Sequence, residues 1–130
     1  MSYYSKKELA KYRLERAKES IEEAKLLAEK GHWNTTASRL YYACFYSASA
    51  YLVIHGFEAS THNGIKTAFN KELISTSLLP ASFGDLYNDL FNLRQDADYR
   101  DYKDLSEKVI SPMIQEVENL IIQMEALIEL

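Results

Sequence analysis

The chain has 130 residues, of which 47% are hydrophobic and 26% are charged, and this length and composition are those of one globular domain. Four glycines and two prolines are too few for a β-sandwich or a β-barrel with many turns. A net charge of −4 excludes a protein that binds nucleic acid through its bulk charge, so any such contact must be a local site. We therefore expect residues 1–130 to form a single domain.

Hydrophobic residues that recur every three or four positions predict a first helix over 5–29. Ser5 and Glu8 have the spacing of a capping box, in which each side chain binds a backbone amide of the first turn. The apolar stripe of this helix consists of Leu14, Ala17, Ile21, Ala24 and Ala28. Gly31 is positioned to end the helix.

The second helix, predicted over 33–54, is apolar or aromatic on two opposite faces. One face carries Tyr41, Phe45, Ala48 and Leu52, and the other carries Arg39, Tyr42, Ala43, Tyr46 and Ala50. A helix of this kind must be covered on all sides, and one short chain offers few neighbours to cover it. The surplus face is therefore predicted to be a subunit interface or the wall of a ligand site.

A shorter third helix is predicted over 61–73, with Ser60 or Thr61 as its cap. Residues 76–82 form a predicted loop. A fourth helix over 82–99 follows this loop and has a regular apolar stripe, which indicates that one side of it faces the core.

The fifth helix opens at a second capping-box pattern over 104–107 and is predicted to extend to residue 128. Pro112 should either kink this helix or mark its true start. Together the five elements predict an all-α fold, an antiparallel bundle of four long helices and one short helix.

Several classes of site and location are excluded by the residues that are missing from the sequence. Cys44 is the single cysteine, so an intramolecular disulfide and a multi-thiolate metal site are excluded, and its aromatic surroundings predict a buried, unreactive thiol. The three histidines are far apart in sequence, and we expect neither a metal site nor a cofactor. No window reaches the roughly 18 apolar residues that span a bilayer, and no signal peptide is evident. We expect a cytoplasmic protein with no membrane contact.

Three segments resemble motifs of the HEPN family, whose name stands for higher eukaryotes and prokaryotes nucleotide-binding. Residues 39–45 match the Arg-x-Tyr-Tyr-Ala-x-Phe pattern of the second helix in that family. Residues 61–64 resemble the Ser/Thr-His-x-Gly pattern that opens the third helix, and residues 94–99 resemble the Arg-x-x-Ala-Asp-Tyr end of the fourth. The resemblance extends over about 5–128.

The resemblance implies a helical homodimer that pairs around its second and fourth helices. Many members of the family are ribonucleases, often the toxins of toxin–antitoxin pairs, and a common partner is a minimal nucleotidyltransferase. Their active site is an arginine followed four to six residues later by a histidine. Here Arg94 has the arginine position, but Tyr99 stands where the histidine would be. A tyrosine with a pKa near 10 is a poorer base at neutral pH than a histidine, so the family's ribonuclease chemistry does not carry over directly. The sequence resembles the Ala-Asp-Tyr branch of the family more closely.

The candidate catalytic residues are Arg94, Asp98 and Tyr99. Arg94 has the donor geometry to bind phosphate, and Asp98, one helical turn later, could orient it. The alternative is a simple Arg94–Asp98 ion pair within the helix, which would contribute only a few tenths of a kcal/mol. Arg39 and Tyr42 are the other candidates for binding nucleotide or phosphate. For Arg39 the alternative is a buried pair with an acid on the fourth helix, such as Asp98.

Tyrosine is abundant, with 10 in the chain, and aromatic side chains suit both protein interfaces and base stacking. Tyr42, Tyr46 and Phe91 are the residues that we expect at the dimer interface. His62 follows a helix cap, and we expect it to cap the helix or to donate to a loop carbonyl.

Three functions remain open from the sequence. The first is a binding protein that contacts nucleotide or RNA phosphate through Arg94 and pairs with a nucleotidyltransferase. The second is a metal-independent ribonuclease in which Arg94, Asp98 and Tyr99 replace the missing histidine. The third is a helical interaction module without a role in nucleotide binding.

Overall fold

The computed structural model describes residues 5–99 and 104–128, with the side chains of residues 97–99 outside the description. The described part contains five α-helices and no strand, which confirms the all-α prediction. The helices are α1 (Lys6–Glu29), α2 (Trp33–Ile54), α3 (His62–Phe69), α4 (Ala81–Tyr99) and α5 (Glu107–Ile128). None of them is long and apolar enough to cross a bilayer.

The predicted caps of α1 and α3 are confirmed. The Ser5 hydroxyl accepts a hydrogen bond from the amide of Glu8 at 3.0 Å, and the Thr61 hydroxyl accepts one from the amide of Gly64 at 2.9 Å. Each bond satisfies an amide that has no partner within its helix. Helix α5 begins at Glu107 and continues through Pro112, so the interpretation of Pro112 as the true start was wrong.

The third predicted helix ends four residues earlier than expected. After Phe69 the chain continues as a single π-helical segment, Asn70–Ile74, which we call the π turn. The side-chain Nδ2 group of Asn70 donates hydrogen bonds to the backbone carbonyl of Lys66 at 2.9 Å and to the side-chain oxygen of Asn88 on α4 at 3.2 Å. The hydrogen bond to Asn88 attaches the π turn to α4, a tertiary contact that helical periodicity does not reveal.

Helix α2 lies at the centre of the bundle and packs against all four of the other helices. Its small residues let these neighbours approach closely: Ala37, Ala43, Ala48 and Ala50 are all fully buried. The expectation that one chain could not cover both faces of α2 therefore needs correction. The hydrophobic residues of α2 that stay half-buried lie at its two ends, at Trp33, Val53 and Ile54, and in one aromatic patch, which consists of Tyr42, Phe45 and Tyr46.

Candidate functional site

The patch on α2 belongs to a larger group of rings at the junction of α2, α3 and α4. Tyr41 is fully buried at its centre. Its ring lies with centroids 5.1–6.1 Å from five other rings, those of Tyr42, Phe45, His62, Tyr87 and Phe91. With Tyr46, whose ring lies 5.9 Å from that of Tyr42, these residues form what we call the aromatic cluster. The cluster fixes α3 and α4 on the aromatic side of α2.

Arg94 reaches the cluster from α4. Its guanidinium carbon lies 5.1 Å from the ring centroid of Tyr41 and 5.5 Å from that of Tyr42. The side chain is half-buried. Arg39 approaches the Tyr42 ring too, with its guanidinium carbon 4.9 Å from the centroid. The structure thus brings together the three residues that the sequence predicted for phosphate binding, Arg39, Tyr42 and Arg94.

The acid that Arg39 meets lies on α1, whereas the sequence suggested one on the fourth helix. The Nη1 atom of Arg39 is 3.9 Å from a carboxylate oxygen of Glu23, and both side chains are partly exposed. An ion pair of this length near the surface contributes little to stability. Arg39 is thus not fully buried, and the predicted pair with Asp98 stays a prediction because the side chain of Asp98 lies outside the described residues.

His62 occupies a place that the sequence did not predict. Thr61 caps α3, and the His62 imidazole instead turns to α2, where its Nδ1 atom lies 2.6 Å from the Tyr41 hydroxyl oxygen. The ring stacks on Phe45 with a centroid distance of 4.6 Å and an angle of 18°. Burial, and secondly the positive charge of Arg94, lower the pKa of His62 below its usual 6.5. The prediction that His62 caps the helix or binds a loop carbonyl is corrected by this hydrogen bond.

Two of the predicted catalytic residues cannot be placed at the site. The backbone of α4 is helical through Tyr99, but the side chains of Asp98 and Tyr99 lie outside the described residues. Arg94 is therefore the one member of that predicted set whose side chain is located.

Cationic side chains lie over the rings of the residues predicted at a dimer interface. The Nζ atom of Lys66 lies 4.2 Å from the ring centroid of Phe91, and the guanidinium carbon of Arg16 lies 5.3 Å from that of Tyr46. Both rings are half-buried. The outer edge of the aromatic cluster is thus lined by four cations, Arg16, Arg39, Lys66 and Arg94, which we call the cationic rim.

The remaining polar groups near the cluster lie in its interior. Burial raises the pKa of Tyr41 to about 12 and that of Tyr87 well above 10, so both phenols stay protonated at neutral pH. Cys44 is fully buried, as predicted, and burial raises the pKa of its thiol. In the described part of the chain, no three histidine, cysteine or acidic side chains are placed to share a metal ion.

Residues 10–129 match the family model of the HEPN domain. The chain belongs to the HEPN family. The match includes all of α2, α3 and α4, and hence the aromatic cluster and the cationic rim. The resemblance drawn from the three sequence motifs is confirmed.

Similar proteins occur in bacteria and archaea. A protein of Thermotoga maritima named UPF0332 protein is 33% identical over 124 residues, which cover 95% of this HEPN chain and 94% of that protein. A Methanocaldococcus jannaschii protein named "Putative toxin MJ0142" is 34% identical over 72% of this chain and 63% of its own length. A second protein of that archaeon, named "Putative toxin MJ0605", is 28% identical over 89% of this chain and 81% of its own length.

Proposed function

We propose that this HEPN protein is a helical homodimer that contacts nucleotide or RNA phosphate through Arg94. The observation that carries the proposal is the guanidinium of Arg94 resting on the rings of Tyr41 and Tyr42. Contact with two rings restricts the guanidinium, so less conformational entropy is lost when its N–H groups bind phosphate oxygens. Arginine also binds phosphate through two parallel hydrogen bonds, which favours this ligand over a simple monovalent anion.

The surface around Arg94 supports RNA as the ligand through its aromatic rings more than through the other cations of the rim. Arg16 and Arg39 lie 2.9 and 3.9 Å from the carboxylates of Glu19 and Glu23, which weakens their attraction for another anion. The rings at the rim are half-buried, and exposed ring faces can stack on unpaired bases. A local surface of this kind is what a chain with a net charge of −4 needs in order to bind RNA.

The homodimer is proposed from the half-buried rings of the aromatic cluster. Tyr42, Tyr46 and Phe91 remain half-buried after the chain has folded, and aromatic side chains are enriched in protein interfaces. Pairing across this patch would bring the two Arg94 residues towards each other, with phosphate between them. We expect a dimer at micromolar concentration in sedimentation, and a monomer under those conditions would contradict this part of the proposal.

The names of the two Methanocaldococcus jannaschii relatives support a role in a pair similar to toxin–antitoxin pairs. The partner that we propose, a minimal nucleotidyltransferase, rests on the family resemblance alone. A toxin name is also compatible with the second candidate, a ribonuclease that uses Arg94, Asp98 and Tyr99. If the partner is correct, co-purification with an adjacently encoded nucleotidyltransferase should raise the melting temperature. A plain interaction module would neither bind nor cleave RNA.

The phosphate contact is tested by fluorescence anisotropy with a labelled single-stranded RNA. Replacing Arg94 by alanine should weaken binding by about tenfold or more, because one charge-assisted contact is lost. Lys108→Ala removes an exposed cation from the start of α5 and is the matched control, which should bind within about twofold of the original chain. Equal binding by the Arg94→Ala and Lys108→Ala variants, both folded by circular dichroism, would contradict the proposal.

A further inference from the structure

The His62 imidazole is held more firmly than a surface histidine. The Tyr41 hydroxyl lies 2.6 Å from its Nδ1 atom, and its ring is nearly parallel to two α2 rings, those of Phe45 and Tyr41, at interplanar angles of 18° and 19°. This hydrogen bond is the one side-chain hydrogen bond that the imidazole makes within the described residues. Because Nδ1 is engaged, the opposite nitrogen, Nε2, is the atom that remains for a ligand.

The imidazole and the Arg94 guanidinium share the same two supporting rings. The Tyr42 ring centroid is 5.9 Å from that of His62 and 5.5 Å from the guanidinium carbon, and the Tyr41 ring likewise contacts both groups. A phosphate bound by Arg94 would therefore lie beside the imidazole. The two groups that phosphodiester cleavage requires, a cation for the phosphoryl oxygens and a group that moves protons, are thus brought together from α4 and α3.

We propose that His62, positioned by Tyr41, is the proton-transfer group of the Arg94 site and that this site cleaves RNA next to a 2′-hydroxyl. The inference rests on the phosphate contact proposed above. It assigns to α3 the histidine that the end of α4 lacks, and it gives Tyr99 no role as a base.

The reaction consumes nothing besides RNA. Tyr41 accepts a hydrogen bond from Nδ1–H of His62, which leaves the lone pair of Nε2 to take the proton from the 2′-hydroxyl. The 2′-oxygen forms a bond to phosphorus while the bond from phosphorus to the 5′-oxygen breaks. The imidazolium then returns the proton to the departing 5′-oxygen, and Arg94 stabilises the charge on the phosphoryl oxygens. The products are a 2′,3′-cyclic phosphate and a free 5′-hydroxyl.

The groups around His62 suit this role. It faces Tyr41, Tyr42 and Phe45 on α2 and feels the charge of Arg94 on α4, while Lys66 follows one turn later on its own helix. Burial and Arg94 keep the pKa of His62 below 6.5, so the imidazole is neutral and able to accept a proton at pH 7. The Tyr41 phenol, with a pKa of about 12, keeps its proton throughout.

The experiment uses the purified chain, a single-stranded RNA, and the same oligonucleotide with 2′-deoxy sugars. We expect RNA cleavage with a cyclic phosphate product, and binding without cleavage for the deoxy form. His62→Gln should slow cleavage by about 100-fold or more while RNA affinity changes by no more than about twofold. The matched control is His32→Gln, which alters an exposed histidine at the start of α2 and should leave cleavage unchanged.

The pH profile separates proton transfer from a structural effect. The original chain should lose activity as the pH falls through the pKa of His62, and His62→Gln should lack this acidic limb. Tyr41→Phe removes the acceptor that stabilises the imidazolium, so kcat should fall and the acidic limb should move to lower pH, with KM little changed.

Three results would overturn the inference or its basis, and they can be told apart. RNA that is bound but never cut refutes the proton-transfer role and leaves the phosphate contact standing. Cleavage by folded His62→Gln at the original rate, with the original pH profile, assigns the chemistry to other residues. A chain that neither binds nor cuts RNA refutes the phosphate contact itself.

Discussion

The seam between α1 and α5 and the aromatic cluster both contain cationic side chains, but among the described residues aromatic rings lie beneath the cations only at the cluster, where Arg16 and Arg39 also meet a glutamate. At the seam, Lys18 pairs with Glu125, and Lys25 pairs with Glu118, each across the two helices. At the cluster, Lys66 and Arg94 rest on aromatic rings. A carboxylate neutralises a nearby cation, whereas a ring supports a cation without removing its charge. The comparison shows that cations at the seam join two helices, whereas cations at the cluster also lie over aromatic rings, and the phosphate site proposed above lies among the latter.

The largest effect is expected where the cluster itself is broken. Tyr41→Ala removes a fully buried ring that contacts five others, and it should lower the free energy of unfolding by about 3–5 kcal/mol. Tyr12→Ala, at a tyrosine that is 61% exposed on α1, should cost no more than about 0.5 kcal/mol. Urea denaturation of the two variants measures the difference, and similar losses would show that the cluster is not a core.

A smaller effect is expected where α4 joins the π turn. A Cβ added at Gly84 would lie 2.8 Å from the Asn70 side-chain oxygen and 3.2 Å from a side-chain carbon of Ile74. Gly84→Ala should therefore destabilise the protein by about 1–3 kcal/mol, because the tightly packed neighbours must move. Ser82→Ala, at an exposed site in the first turn of α4, is the control for thermal denaturation. Unchanged stability of Gly84→Ala would mean that this contact is not tight.

Alanine substitutions of single lysines compare the two regions directly. Lys25→Ala at the seam should cost about 0.2–1 kcal/mol of stability and leave RNA affinity unchanged. Lys66→Ala at the cluster should cost about 0.5–1 kcal/mol and weaken RNA binding, reducing the slope of log affinity against log salt by about one. If both substitutions changed RNA affinity equally, the distinction between the two regions would fail.

The smallest expected effect is the dependence of the free energy of unfolding on pH. Burial and Arg94 lower the pKa of His62 in the folded chain, so the unfolded chain binds a proton more readily. Stability should therefore fall as the pH drops from above 6.5 towards the pKa of the folded state, and then lose no more through this group. His62→Gln should remove this component, as measured by denaturation at several pH values. An identical pH dependence in both chains would contradict the assigned pKa shift.

Much of the fold follows from periodicity and caps. The bounds predicted for α1 and α2 agree with the structure to within a residue, because long apolar stripes and Ser5 or Gly31 mark them. The sequence does not predict the π turn. Asn70 within it forms side-chain hydrogen bonds to Lys66 and Asn88, and no sequence pattern indicates these two contacts. The sequence also predicts less coverage of α2 than the structure shows. The alanines of α2 let its neighbours pack closely, and the sequence does not state how close that packing is.

The sequence predicts some residues of the candidate site but not how they contact one another. Arg94 and Tyr42 emerged from the family motifs, and the structure brings them into contact. His62 lay in the motif over 61–64, but its contact with Tyr41 depends on how α3 packs on α2, which local sequence rules cannot state. A cap pattern indicates the hydrogen bond that Thr61 makes and is silent about the next side chain.

The central claim is that the surface shared by Arg94 and His62 binds RNA phosphate, and the NMR signals of the three histidine rings test it most directly. On titration with a short single-stranded RNA, the His62 signal should shift saturably and its pKa should rise, because an anionic phosphate beside the imidazole favours the protonated form. The signals of His32 and His55, both exposed at the ends of α2, should stay in place. RNA that binds while the His62 signal does not move, or while the His32 or His55 signal moves instead, would contradict the account.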